Sequence, residues 1–412
     1  MLVRIDNQPR DYVWGATEAI ASFRGQTASG GPEAELWLGS HPGSPSQLLD
    51  PVAGGATNLF EWVRDEPSDA LGDRLAASAR LPFLLKVLAA AGPLSLQAHP
   101  TPAQAAAGFE RENAAGVPLD AFDRNYKDAF HKPELIVAVS ETFDALSGFR
   151  PLVEIDALVA ALQDASTDAA AIAPLVARLA GPDPLRTTVD WLLSNRSSGD
   201  SAGTEPSEAQ IVGDLVAAVV AAAAASADPR FALEFDTVGE LAEAYPGDPG
   251  IVLALLLNRV RLNRGEALYL RAGNIHAYLS GLGIELMASS DNVLRGGLTP
   301  KYIDVPELLS VLDFTPGPPP LLVPECPRPG VQVFRPDVPD FVLYKVTPTD
   351  APGGSVAIEL PGPAIVLAEG AVHVVGASGA SDLGQGDALY ATPAEGALTL
   401  RGGVAWVAST NL

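Results

Sequence analysis

Short apolar stretches broken by Gly, Pro and Ser run from Leu36 to His41 and from Pro82 to His99, the texture of strands joined by tight turns. Between about Pro151 and Asn263 the period changes. Leu152 to Leu179 carries apolar residues every three to four positions, and Ser207-Glu208-Ala209-Gln210 has the spacing of a capping box ahead of an alanine-rich run. A helical unit is expected there, with a polar loop near Asn195 to Pro206 inside it. Strand-like alternation returns at Gly265. Thr315-Pro316-Gly317-Pro318-Pro319-Pro320 then marks a stiff connector, because consecutive prolines donate no backbone hydrogen bonds. The expected division is 1–150 and 264–314 as two parts of one β domain, 151–263 as a helical domain, and 315–412 as the connector and a C-terminal β domain, with strand pattern from about Val331.

One weak internal repeat refines this picture. Gly265-Glu266-Ala267-Leu268-Tyr269 is echoed by Gly386-Asp387-Ala388-Leu389-Tyr390, and each copy is followed by a further glycine, Gly273 and Gly396. Two related barrels are expected, the second degenerate, since only the first copy carries a histidine, His276. The apolar run from Leu215 to Ala227 is mostly alanine and falls short of the roughly 20 residues a membrane span requires, so it reads as a helix of the insertion.

A length of 412 residues exceeds what one hydrophobic core usually organises, and 47% hydrophobic residues argue for a folded chain. The formal net charge of -24 excludes broad affinity for nucleic acid or an anionic membrane. A phosphate-bearing ligand would need a local basic exception. Cys326, the single cysteine, has no intramolecular partner, and the opening Met1-Leu2-Val3-Arg4-Ile5-Asp6 lacks the apolar core of a signal peptide, so cytosol is the expected compartment.

The candidate chemistry lies in three compact polar motifs. In Gln97-Ala98-His99 the polar residues are two apart, which in a strand puts an amide and an imidazole on one face. His131-Lys132-Pro133-Glu134 offers a carboxylate, and Glu134 is the best oxygen donor to complete a set with Gln97, His99 and His276. Gly265 to His276 resembles the second cupin signature, a strand, a Gly turn and a metal-binding His, with Arg271 where that signature usually has proline. An all nitrogen and oxygen set suits zinc, though manganese, iron or cobalt fit the same donors. His41 and His373 lack such company and are expected to be structural. Lysine occurs only at Lys86, Lys127, Lys132, Lys301 and Lys345 among 26 basic positions, and all but Lys345 fall in the segments that carry the candidate ligands. A compact ammonium is suited to grip a phosphate or to change protonation state when buried.

With these residues in view, the chain resembles the type I mannose-6-phosphate isomerases. The long family signature appears as His276-Ala277-Tyr278-Leu279-Ser280-Gly281-Leu282-Gly283-Ile284-Glu285-Leu286-Met287-Ala288-Ser289-Ser290-Asp291-Asn292-Val293-Leu294-Arg295-Gly296-Gly297-Leu298-Thr299-Pro300-Lys301, with Gly296 in place of the usual alanine. A shorter one appears as Tyr126-Lys127-Asp128-Ala129-Phe130-His131-Lys132-Pro133-Glu134, with Phe130 where the family normally has asparagine, a loss of amide support beside Glu134. Trp14-Gly15 and Ala34-Glu35-Leu36-Trp37-Leu38-Gly39 agree with its N-terminal blocks.

The resemblance implies a mainly β fold of cupin-type jelly-roll barrels with a helical insertion, and one zinc ion held by Gln97, His99, Glu134 and His276. It implies that Arg295 is catalytic and that Lys301 and Ser95, with Trp14, Lys86 and Asp291, bind the sugar phosphate. The implied reaction interconverts mannose 6-phosphate and fructose 6-phosphate through a cis-enediol, feeding mannose and GDP-mannose metabolism. Glu285 is the first choice for proton shuttle and Lys132 the second, while His131 is expected to assist opening of the cyclic sugar and Lys301 with Lys86 to hold the phosphate end. A cytoplasmic monomer with no protein, nucleic-acid or membrane partner is expected. Two rival readings are a non-catalytic cupin that binds a sugar phosphate and a cupin oxygenase using iron. A full ligand set with Arg295 weighs against the first, and an added Gln97 beside a lysine-rich pocket against the second.

Overall fold

The computed structural model describes residues 1–196 and 206–412, so most of the polar loop expected near Asn195 to Pro206 lies outside the described residues. Two antiparallel sheets, of ten and nine strands, and a group of helices make up the rest. The nine-stranded sheet is built on one long strand, His276–Ala288. Its first part pairs with Leu96–Ala98 and Thr142–Phe149, and its second part pairs with Phe83–Ala90 and Glu134–Ala138. The strand changes partners at Gly281. Its φ of +121° suits only glycine, and a Cβ there would come within 2.9 Å of the Phe143 backbone. A register shift between Tyr278 and Ser280 adds the bulge that lets one strand turn a corner and serve two sets of neighbours.

The ten-stranded sheet repeats this device. Ala364–Gly376 is equally long, passes through Gly370 with a φ of +104°, and shifts register against Ala397–Ser409 between Glu369 and Val372. The two copies of the sequence repeat fall at matching places, each a glycine of positive φ leading into a short strand, Ala267–Leu270 and Ala388–Ala391. The expected division of the chain does not extend to its first strand. Leu2–Asp6 pairs with Ala388–Ala391 and with Gln47–Leu48, so N-terminal residues complete the C-terminal sheet.

Phe83–Ala90 is buried at every position because it faces a core on one side and a cleft on the other. Phe83, Leu85 and Val87 join a hydrophobic cluster that also takes Phe341, Leu343 and Trp406 from the ten-stranded sheet. Leu84, Lys86 and Leu88, on the alternate face, line the cleft. In the insertion, the expected pattern from Leu152 to Leu179 forms two helices, Leu152–Ala165 and Ala169–Leu179, and Ser207 closes a true capping box with Gln210. The alanine-rich helix Glu208–Ala225 is long and apolar enough by composition to cross a membrane. Here Val212, Leu215, Val216, Val219 and Ala222 are packed into the helical core.

Candidate active site

Cross-strand register brings the distant motifs together. Gln97 lies opposite both His276 and Arg295, so three side chains from three strands share one face at one level. Two residues apart on the same long strand, Glu285 stands opposite Lys86 and Met287 opposite Glu134. The result is a cleft of about 720 Å³ whose lining includes Trp14, Lys86, Ser95, Gln97, Lys132, Glu134, Glu285, Asp291, Arg295 and Lys301. His99 and His276 lie behind its floor, fully buried against Glu134.

One ligand atom each from His99, Glu134 and His276 lies within 4.8 Å of the others. His99 Nε2 is 3.3 Å from Glu134 Oε1, and His276 Nε2 is 3.2 Å from Glu134 Oε2. Each imidazole is set by its other nitrogen: His99 Nδ1 donates to the Asn292 carbonyl at 2.7 Å and His276 Nδ1 to the Asn274 carbonyl at 3.1 Å. A carbonyl only accepts, so the hydrogen sits on Nδ1 and the Nε2 lone pairs face Glu134. The Gln97 amide is 3.3 Å from His276 Nε2. His99 Nε2 and Glu134 Oε2 are buried without a hydrogen-bond partner. Buried polar atoms are nearly always satisfied, and convergent orphan donors of nitrogen and oxygen fit a cation such as zinc.

Electrostatics separate the groups by role. Burial depresses His99 to about 4 despite the nearby Glu134. Burial would raise Glu134, but the Lys132 ammonium at 2.9 Å outweighs it and holds the carboxyl well below its usual range. Glu285 moves the other way, raised by burial and by Glu134 and Glu35, with Lys86 at 2.8 Å only partly compensating. Burial works against the Lys86 charge, yet Glu285, Glu35 and Glu134 together raise it. The Tyr278 hydroxyl lies buried beside Glu285, and burial and that carboxylate hold its proton on.

Two of the expected site residues are engaged by carboxylates. Lys86, in the cleft lining, pairs with Glu285 at 2.8 Å and with Glu35 at 3.4 Å. His131 lies outside the cleft lining, its Nε2 donating to Asp340 of the C-terminal part at 2.8 Å. Among the described residues, Arg295 and Lys301 have no carboxylate within 4.0 Å, and burial lowers both. They form a local basic exception in an acidic chain. Phe130 is half exposed, with the Arg80 guanidinium 3.8 Å from its ring centre, and the loop before Glu134 is anchored instead through the Phe130 carbonyl, which accepts from Asn292 Nδ2 at 2.8 Å.

Sequence reasoning missed Asn292, Glu35, Tyr278 and His41. His41, expected to be structural, donates from Nε2 to Asp291 at 3.1 Å, while its Nδ1 accepts from the Gly43 amide. Glu35 and Tyr278 stand within the family signatures, but nothing local marks a strand carboxylate or a tyrosine as facing a cleft.

Comparison with known proteins agrees with this site. Residues 2–152 match the family described as phosphomannose isomerase type I, catalytic domain. The mannose-6-phosphate isomerase of Escherichia coli (strain K12) is 39% identical over 343 residues, 82% of each chain, and mannose-6-phosphate isomerase 1 of Arabidopsis thaliana is 32% identical over 97% of this chain and 91% of its own. A crystal structure of mannose 6-phosphate isomerase from Salmonella typhimurium, bound to substrate and zinc, superposes with a TM-score of 0.84 and 32% identity, covering 100% of both chains. Similarity of sequence and of fold along nearly the whole length places the chain in the family of type I mannose-6-phosphate isomerases.

Proposed function

We propose that this chain interconverts mannose 6-phosphate and fructose 6-phosphate, and that its site holds one zinc ion through Gln97, His99, Glu134 and His276. The observation that carries the reading is the buried His99–Glu134–His276 group, with two atoms unsatisfied, beside two cations that have no carboxylate partner among the described residues. Bound there, zinc would supply Lewis-acid polarisation of the sugar oxygens.

The residues of the chain account for the remaining chemistry. Isomerisation removes the hydrogen at C2 of the open-chain aldose and returns a proton to C1, while the hydroxyl proton leaves O2 and O1 gains one. Negative charge develops on the enediolate oxygens, and Arg295, fixed opposite Gln97, is positioned to meet it without reorganisation. Glu285 and Lys132 are the two candidates for carrying the carbon-bound proton. The raised proton affinity of Glu285 suits a group that must both accept and return it. Lys301 holds the phosphoryl end, and Trp14, Ser95 and Asp291 complete the substrate walls. Lys86 sets the charge state of Glu285, and His131 ties the segment before Glu134 to Asp340.

The architecture read with this function is a catalytic part, 1–150 with 264–314, a helical unit, 151–263, and a C-terminal part, 315–412, completed by Leu2–Asp6. The catalytic and C-terminal parts each form a cupin-type jelly-roll barrel, the second without a metal site. The paired glycine corners at Gly281 and Gly370 support that kinship.

A coupled assay with mannose 6-phosphate, run beside elemental analysis, tests reaction and metal together. Chelation should abolish turnover and zinc should restore it. Turnover that survives complete demetallation would remove the metal from the reaction, and sugar-phosphate binding without turnover would favour a non-catalytic role. Solvent proton exchange in Glu285→Gln and Lys132→Met identifies the shuttle as the variant that loses it.

A further inference from the structure

The loop that carries Lys301 is held in an unfavourable conformation from outside its own domain. Leu298, completely buried, has a φ of +53°, a left-handed backbone that a leucine rarely adopts. Gly297 beside it has a φ of +127°, and a Cβ there would lie 2.9 Å from the Cα of Gly250 in the helical insertion. Such outliers persist only where the surroundings over-determine them, and they concentrate at functional sites. The surroundings here are specific. Arg196 Nη2 donates to the Thr299 carbonyl at 3.0 Å and to Asp248 Oδ2 at 3.2 Å, while Asp248 Oδ1 accepts from the Gly250 amide at 2.7 Å. Tyr245, three residues before Asp248, lines the cleft and donates its hydroxyl to the Pro93 carbonyl at 2.9 Å, next to the segment that carries Ser95.

We propose that the helical insertion sets affinity for the phosphoryl end of the substrate, with Arg196 and Asp248 as positioning residues that fix the Gly297 to Lys301 loop. This rests on the reading that Lys301 meets the phosphoryl group. The insertion then has a part in the reaction that none of its sequence motifs announces. Arg196 is not among the residues that line the cleft. It neutralises Asp248 and holds the Thr299 carbonyl, and so limits where the Lys301 ammonium can go.

The test uses the full chain and the variants Arg196→Ala, Arg196→Lys and Asp248→Asn. Loss of a charged hydrogen bond in Arg196→Ala should raise KM for mannose 6-phosphate roughly tenfold or more, with kcat within about twofold and metal content unchanged. Inorganic phosphate, as a competitive inhibitor, should weaken by the same factor. Arg196→Lys keeps the charge opposite Asp248 and should fall between wild type and alanine. An unchanged KM and phosphate inhibition constant, or a fall in kcat and metal content at constant KM, would overturn the proposal. Should Arg196→Ala fail to fold, the lysine variant and Asp248→Asn decide it by the same two constants. If the wild-type chain does not turn over mannose 6-phosphate, the isomerase reading fails, and calorimetry with inorganic phosphate still decides the clamp: weaker binding to the variants supports it and equal heats refute it.

Discussion

Asn292 is the residue on which the two arms of the metal group converge. Its carbonyl fixes His99, and its side chain accepts from the amides of Lys127 and Asp128 and donates to the carbonyls of Asp128 and Phe130. Asn292→Ala keeps the carbonyl that holds His99 and removes only the side chain's grip on the loop before Glu134, so it should lose zinc to a competing chelator at up to about tenfold lower concentration, and wild-type retention would refute that loop's role. His99 gives the pH dependence its sign. Its folded value of about 4 lies below the ordinary 6.5, so between these values the unfolded chain binds the extra proton. Its contribution, on the order of 3 kcal/mol, is complete above about pH 6.5 and is lost as pH falls toward 4. The Tm of the metal-free protein should drop across that window, and a flat profile would show that His99 is not desolvated as found. The meeting of His99, Glu134 and His276 was legible because histidine is scarce and each of the three sits in a polar motif. Asn292 was not, because it acts on His99 through a carbonyl that any residue would provide.

At the scale of elements, the strand His276–Ala288 matters most, since one corner at Gly281 sets both His276 and Glu285. Gly281→Ala would place a Cβ 2.9 Å from the Phe143 backbone at a φ of +121°, a change expected to cost at least about 2 kcal/mol and to lower metal content with it. Ser207→Ala offers the contrast. It breaks one arm of the capping box on Glu208–Ala225, should cost about 1 kcal/mol, and should leave turnover unchanged, because no cleft residue sits on that helix. Equal losses of metal in the two variants would mean that the corner has no special hold on the site. The capping box could be read directly from Ser207 and Gln210, close in sequence and joined by a local mechanism. The destination of Leu2–Asp6 could not. Its alternation of Val3 and Ile5 with Arg4 announces a half-buried strand, but not that its partner is Ala388–Ala391 at the far end of the chain.

The whole molecule behaves as one unit if the core between the sheets is shared in energy as it is in space. Leu36, Phe83, Leu85, Ile284 and Leu286 of the nine-stranded sheet meet Phe341, Leu343, Ile365 and Trp406, on or beside the ten-stranded sheet, in a single apolar cluster, and Trp62 packs against Tyr390 across the same junction. At roughly 25 cal/mol per Å² of apolar surface, uncovering that face would outweigh the few kcal/mol by which a domain is stable. Thermal unfolding followed by far-UV circular dichroism and by tryptophan fluorescence should therefore give coincident transitions, whereas independent parts would give two. A chain stopped at residue 314 makes the sharper test, because it loses both the cover of this face and the strand that pairs with Leu2–Asp6. It should bind a hydrophobic dye and lack fixed tertiary structure. A monomeric, metal-binding and cooperatively folded 1–314 fragment would instead make the C-terminal part an accessory, and the catalytic part sufficient for its own core.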